Sequence, residues 1–215
     1  MLVNRMNRAQ VALLVIDMQR DFCSDGGYAQ TAGLDINPLR AIVPAVKDVL
    51  TAARKAGIAI IFTREGHLPD LSDCSDAKLQ RSKRGGAEIG SAGPLGRLLI
   101  RGEHGQGIIS ELAPLANEIA IDKPGYSAFP NTELQAILSR QNINQLIFIG
   151  VTTEVCVHST LRDAVDRGYR CITVSDACAS PDPTLHDAAI RMIGVEGGIF
   201  GEVCDAVTMV AALKK

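Results

Sequence analysis

The chain has 215 residues, 47% of them apolar, and a formal net charge of −2. That is enough apolar material for a sizeable core, and the near-neutral balance argues against a nucleic-acid-binding surface. Charged residues interrupt every apolar run before it reaches membrane-span length, and "MLVNRMNRAQ" lacks the apolar stretch of a secretory leader. The expectation is a soluble, cytoplasmic protein with no nucleic-acid or membrane partner.

Along the chain, "VALLVID" (11–17) is a short apolar run closed by an acid, the pattern of a buried strand. "NPLRAIVPAVKDVLTAARKAG" (37–57) has helical periodicity and ends at Gly57. "IAIIFTR" (58–64) predicts a second strand. Residues 65–107 are rich in Gly, Ser, Asp and Arg and predict a long irregular region, which in compact domains usually serves a site. "EIAID" (118–122) predicts a weak strand, and 131–143 an amphipathic helix capped by Asn131 or Thr132. "QLIFIGV" (145–151) is the strongest strand pattern, followed by a helix over 154–168 that stops at Gly168. "RCITVSDA" (170–177) predicts another strand. A helix opening at Asp182 and Pro183 runs to paired glycines, and a short strand and a closing helix end the chain.

Strands alternating with helices predict a doubly wound, three-layer α/β/α fold around a mainly parallel sheet of about six strands. With no repeat, low-complexity tract or linker, residues 1–215 read as one domain. Ligands of such folds bind outside the carboxyl ends of the strands. Asp17 follows the first strand, and Arg64, Glu65 and His67 follow the second. Asp122 and Lys123 follow the third, and Thr152, Thr153 and Cys156 follow the fourth.

Six cysteines form no C-x-x-C pair and no zinc-ligand spacing, so free, mostly buried thiols are expected. Cys156 differs from the others because it stands at the predicted start of a helix, just past a buried strand. A thiol attacks carbonyls as thiolate, and a helix start and a nearby ammonium both favour that form. A carboxylate can take the thiol proton and later deliver it to a leaving amine. Asp17, Lys123 and Cys156 supply these parts at one strand edge, and the Gly-Val-Thr-Thr turn offers backbone N–H groups for an oxyanion. Each residue alone has a plain structural alternative; the three together point to nucleophilic acyl transfer to water.

Three stretches carry a resemblance to the isochorismatase-like cysteine hydrolases. They are "LLVIDMQRDF" (13–22), "DKPGYSAFPNTEL" (122–134) and "GVTTEVCVHSTLRDAVDRGY" (150–169). The resemblance implies a catalytic Asp17, Lys123 and Cys156, a cis peptide at Val151–Thr152, and an oxyanion hole from the N–H groups of Thr152 and Cys156. It also implies a homo-oligomer, a dimer or tetramer. Nicotinamidases of this superfamily carry a metal site of one Asp and two His after the second strand. Here that region, "TREGHLPDLSD", has one His, so no metal and no cofactor are expected.

"TREGHLPDLSD", "RSKRGGAEIGSAGPLGRLLIRGE" and "GGIFGEV" look most like biuret and triuret hydrolases. Ureidoacrylate and N-carbamoylsarcosine amidohydrolases are the alternatives, with nicotinamide or an inactive binding scaffold further off. The expected partner is a small ureido substrate that loses ammonia. Glu196 stands where a glutamine would be expected; it either accepts N–H groups of a donor-rich substrate or faces solvent. Phe22 either walls the pocket or packs in the core. Tyr126 and Phe129 lie on the loop after Lys123 and are candidates to cover a planar substrate. Arg84, with Arg81 and Lys83, either draws an anionic substrate or is a solvated loop face. His67 stands near the site mouth or is structural, His158 and His186 are expected to pack or face water, and His104 has no assigned role.

A dinucleotide-binding reading fails at the first turn, "DMQRDF", which lacks the glycine pattern.

Overall fold

A computed structural model describes Val3 and residues 6–214; part of the opening stretch read above for a leader lies outside the described residues. The strands are β1 (Val11–Ile16), β2 (Ala59–Glu65), β3 (Ala92–Gly93), β4 (Gly96–Arg97), β5 (Ile119–Lys123), β6 (Gln145–Val151), β7 (Arg170–Ala179) and β8 (Glu202–Cys204). Six of them form one sheet in the order β5-β2-β1-β6-β7-β8, and every neighbouring pair is parallel. β3 and β4 form a separate small antiparallel hairpin. β1 and β6 are buried along their whole length, as continuous apolar runs in a sheet covered on both faces should be.

The helices are α1 (Arg20–Cys23), α2 (Tyr28–Thr31), α3 (Asn37–Ala41), α4 (Val43–Ala56), α5 (Asp76–Arg84), α6 (Leu134–Arg140), α7 (His158–Asp166), α8 (Pro183–Ile193) and α9 (Ala206–Lys214). Alternation along β1 sorts them into two layers. Val11, Leu13 and Val15 share a core with α4 and α9, through residues such as Val46, Leu50 and Met209. Ala12, Leu14 and Ile16 share the opposite core with α6 and α7, through residues such as Leu138 and Leu161. The predicted three-layer α/β/α architecture is thus the one observed.

Three elements differ from expectation. The helix over 37–57 is broken at Ile42, because Pro44 has no N–H to continue the ladder and crowds the residue before it. Gly57 ends α4 in the left-handed region, φ 69°, as its position suggests. The helix over 131–143 spans only α6. The region 65–107 holds a regular helix, α5, capped by the Ser75 side chain, which accepts from the Lys78 N–H.

Chain order reverses direction at β1: β2 and β5 lie on one side of it, β6, β7 and β8 on the other. The carboxyl ends of β1 and β6 therefore flank a topological switch point, the usual place for a ligand crevice.

Candidate active site

Asp17 directly follows β1 and takes a left-handed backbone, φ 49°, which turns it over the strand end. The Thr63 hydroxyl of β2 donates to Asp17 Oδ1 at 2.6 Å, and the Asp17 N–H donates to Thr63. Lys123 ends β5, fully buried, and its Nζ lies 2.7 Å from Asp17 Oδ2 and donates to Gly125 O at 3.0 Å. Cys156 follows β6 within a wide helical turn, Thr153–Val157, that runs into α7. Lys123 Nζ is 3.4 Å from Cys156 Sγ. The Val151–Thr152 peptide is cis. The structure thus brings Asp17, Lys123 and Cys156 together, from the ends of three strands.

A fourth buried group completes the cluster. Glu65, the last residue of β2, accepts from Cys156 Sγ at 3.4 Å and lies 3.5 Å from Lys123 Nζ. Its other oxygen is 2.6 Å from Lys78 Nζ of α5, and Lys78 also donates to Pro124 O. Two carboxylates and two ammonium groups thus alternate around the thiol, so that each buried charge has a partner of opposite sign. Sequence reasoning placed Glu65 at the right edge but gave it no role. It left Lys78 in a loop, because the buried face of α5 is Lys78 and Ser82 and carries no apolar periodicity.

Burial pushes Asp17 above the usual carboxylate range; Lys123 opposes this and Glu65 adds to it. Burial also works to raise Glu65, but Lys123 and Lys78 overcome it and hold that group down at about 2. Lys123 is desolvated too, yet Asp17, Cys156 and Glu65 hold it charged, above its ordinary range. Burial raises the Cys156 thiol well above its ordinary value, and the pull of Lys123 does not reverse this. The helix start and ammonium were expected to favour thiolate; desolvation outweighs them, so Cys156 holds its proton until a base takes it. Asp17 and Glu65 are pushed apart in acidity, the condition for two carboxylates to play different parts.

Asp17, Glu65 and Cys156 place ligand atoms within 4.8 Å of one another, a possible cation site by residue type. Lys123 Nζ stands 2.7 to 3.5 Å from all three groups and already supplies the positive charge between them. His67, from the motif that suggested a metal site in relatives, is buried with Nδ1 3.2 Å from Asp73, which pairs with Arg101.

A cavity of about 420 Å³ opens over Cys156 and includes Thr152, Glu65, Phe22 and Tyr126 in its lining. Phe22 and Tyr126 therefore reach the pocket. Phe129 does not: it is buried beside Tyr169, with Arg167 over its ring. Glu196 is an exposed residue at φ 50° outside the lining, and Arg84 is exposed at the end of α5, also outside it. Arg81 is the member of the basic run that lines the pocket. His104 is exposed, His186 bonds to the Thr153 hydroxyl, and buried His158 accepts from Arg162.

The six-stranded parallel sheet and this cluster at its switch point define a cysteine-type hydrolase on a three-layer α/β/α fold. The isochorismatase domain profile matches residues 11–207, and the chain belongs to the isochorismatase family. A ureidoacrylate amidohydrolase, RutB, of Yersinia enterocolitica is 36% identical over 205 residues, covering 92% of this chain and 86% of that protein. A cysteine hydrolase from Pseudomonas syringae pv. phaseolicola superposes with a TM-score of 0.81 at 27% identity, covering 97% and 94% of the two chains. An N-carbamoylsarcosine amidase from Thermoplasma acidophilum gives 0.69 at 26% identity, covering 92% and 96%. Among the described residues no helix is long and apolar enough to cross a membrane.

Proposed function

We propose that the protein is a single-domain amidohydrolase that cleaves the terminal C–N bond of a small ureido compound through a Cys156 thioester. The observation that carries this reading is the buried contact of Lys123 with both Asp17 and Cys156, the thiol that lines the pocket. Asp17 takes the thiol proton, and Cys156 Sγ bonds to the ureido carbonyl carbon. The N–H groups of Thr152 and Cys156 receive the charge developing on oxygen. The C–N bond breaks, and nitrogen leaves as ammonia with the proton from Asp17. Water then adds to the thioester carbonyl, giving a proton to Asp17. The C–S bond breaks, sulfur regains its proton, and a carbamate-type product departs. Lys123 stays charged throughout and holds Asp17 in place.

The quoted loop motifs resemble those of biuret and triuret hydrolases; the 36% identity to a ureidoacrylate amidohydrolase supports ureidoacrylate as the substrate. The test is ammonia release from ureidoacrylate, biuret, triuret, N-carbamoylsarcosine and nicotinamide, with and without a chelator. Turnover of a ureido member, unaffected by chelator, is the expected result; turnover of nicotinamide alone, or loss with chelator, overturns it. A cytoplasmic homo-oligomer belongs to the same proposal. The exposed apolar side chains Leu185, Met192, Val195, Ile199 and Val203, close together in sequence, support the assembly. Light scattering reads it directly, and a monomer at working concentration would refute it.

A further inference from the structure

The pocket over Cys156 is lined by two cations among the described residues, Lys78 and Arg81. Lys78 is taken: its ammonium is paired with Glu65 at 2.6 Å and bonded to Pro124 O. Arg81 is not. Its guanidinium lies over the Tyr126 ring, 4.9 Å from the centroid, and no carboxylate among the described residues stands within ion-pair distance of it. A guanidinium with no carboxylate partner has N–H donors in a fork that matches a carboxylate.

Of the acids in the lining, Glu65 at the end of β2 is taken up by Lys78 and Lys123, and the other two sit elsewhere. Glu154 follows β6, and Asp182 follows β7, where it caps α8 by accepting from the Thr184 N–H and hydroxyl. Arg81 and Tyr126 follow β2 and β5, on the other side of β1 in the sheet order. Apart from the ion-paired Glu65, the pocket thus has an unpaired cation over the β2–β5 side and acids over the β6–β7 side, where Cys156 also follows β6. Glu196, whose negative charge would repel a substrate carboxylate, lies outside this lining.

We propose that the pocket takes a ureido compound bearing a carboxylate, and that Arg81, held over the Tyr126 ring, binds that carboxylate and selects against uncharged ureido compounds. This rests on the ureido-hydrolase reading above and narrows it to ureido acids. The acids on the far wall then face the N–H-rich ureido end, so charge sets the direction in which substrate lies.

The test compares 3-ureidopropionate with uncharged propylurea on wild type, Arg81→Gln and Arg81→Lys. Two readouts are taken: protection of Cys156 from iodoacetamide, followed by peptide mass spectrometry, and ammonia release. The expected result is preference for the acid in wild type, falling by about tenfold or more in Arg81→Gln, through weaker binding, with Arg81→Lys between them. An acid-to-neutral ratio equal in wild type and Arg81→Gln, or equal protection by both compounds in wild type, overturns the inference. Arg81-dependent protection without ammonia release would keep the carboxylate site and refute the hydrolytic reading instead. Arg81 is exposed, so its replacement leaves the core untouched.

Discussion

Glu65 touches the thiol, the central lysine and the lysine of α5 at once. Its fixed negative charge is one of the causes that raise Asp17. Asp17 acts as base only when ionised, so the acid limb of kcat/KM should lie above the usual carboxylate range. Replacing Glu65 by Gln removes a like charge beside Asp17, which lowers the Asp17 pKa and moves that limb to lower pH. A pH profile of folded Glu65→Gln with its acid limb unmoved would exclude this coupling. The role of Glu65 was hidden in the sequence because a carboxylate at a strand end is common; its meaning comes from Lys78, which no quoted motif includes.

At the level of elements, two contacts hold the site in shape. Gly150 lies near the end of β6, where its register with β7 shifts, at φ 118°. A Cβ there would collide with the carbonyl oxygen of Ile16 in β1. Gly150→Ala should destabilise the fold by about 4 kcal/mol or more, since backbone must move and the residue resists that φ. A denaturant midpoint near that of wild type would contradict the close approach of β1 and β6.

The second contact is Asp21 of α1, buried, with one oxygen accepting from the Leu99 N–H and the other from the Tyr28 N–H. It ties the 65–107 region to the turn after β1. Burial raises its pKa to about 6 despite those two bonds. A folded-state value above the unfolded one means that its contribution is full below about pH 4 and is lost as pH rises through about 6. Stability of wild type relative to Asp21→Asn should therefore fall by about 3 kcal/mol across that window, at 1.36 kcal/mol per unit. Parallel urea titrations at pH 4 and 7 measure it; a constant difference would show that Asp21 does not titrate there. The sequence announced β1 and β6 through their apolar runs, and α4 through periodicity and Gly57. It did not announce α5, whose inner face is a lysine and a serine, nor the break at Ile42, where Pro44 overrides a continuous helical pattern.

Across the whole molecule, the parallel sheet places the ends of β1, β2, β5 and β6 side by side, and the chemistry comes from residues distant in sequence that meet there. Asp17, Lys123 and Cys156 were legible because each closes or follows a strand pattern at that edge. Phe129 was a pocket candidate and Arg84 and Glu196 were open between pocket and solvent, because the sequence does not show which way these side chains turn: Phe129 packs on Tyr169, while the other two are exposed. The account stands or falls on Cys156 as nucleophile. The most direct measurement is ammonia release from a saturating ureido substrate by folded Cys156→Ala beside wild type. Loss of at least about 10⁴-fold is predicted, the scale seen when a nucleophile is removed; a rate within tenfold of wild type would contradict it.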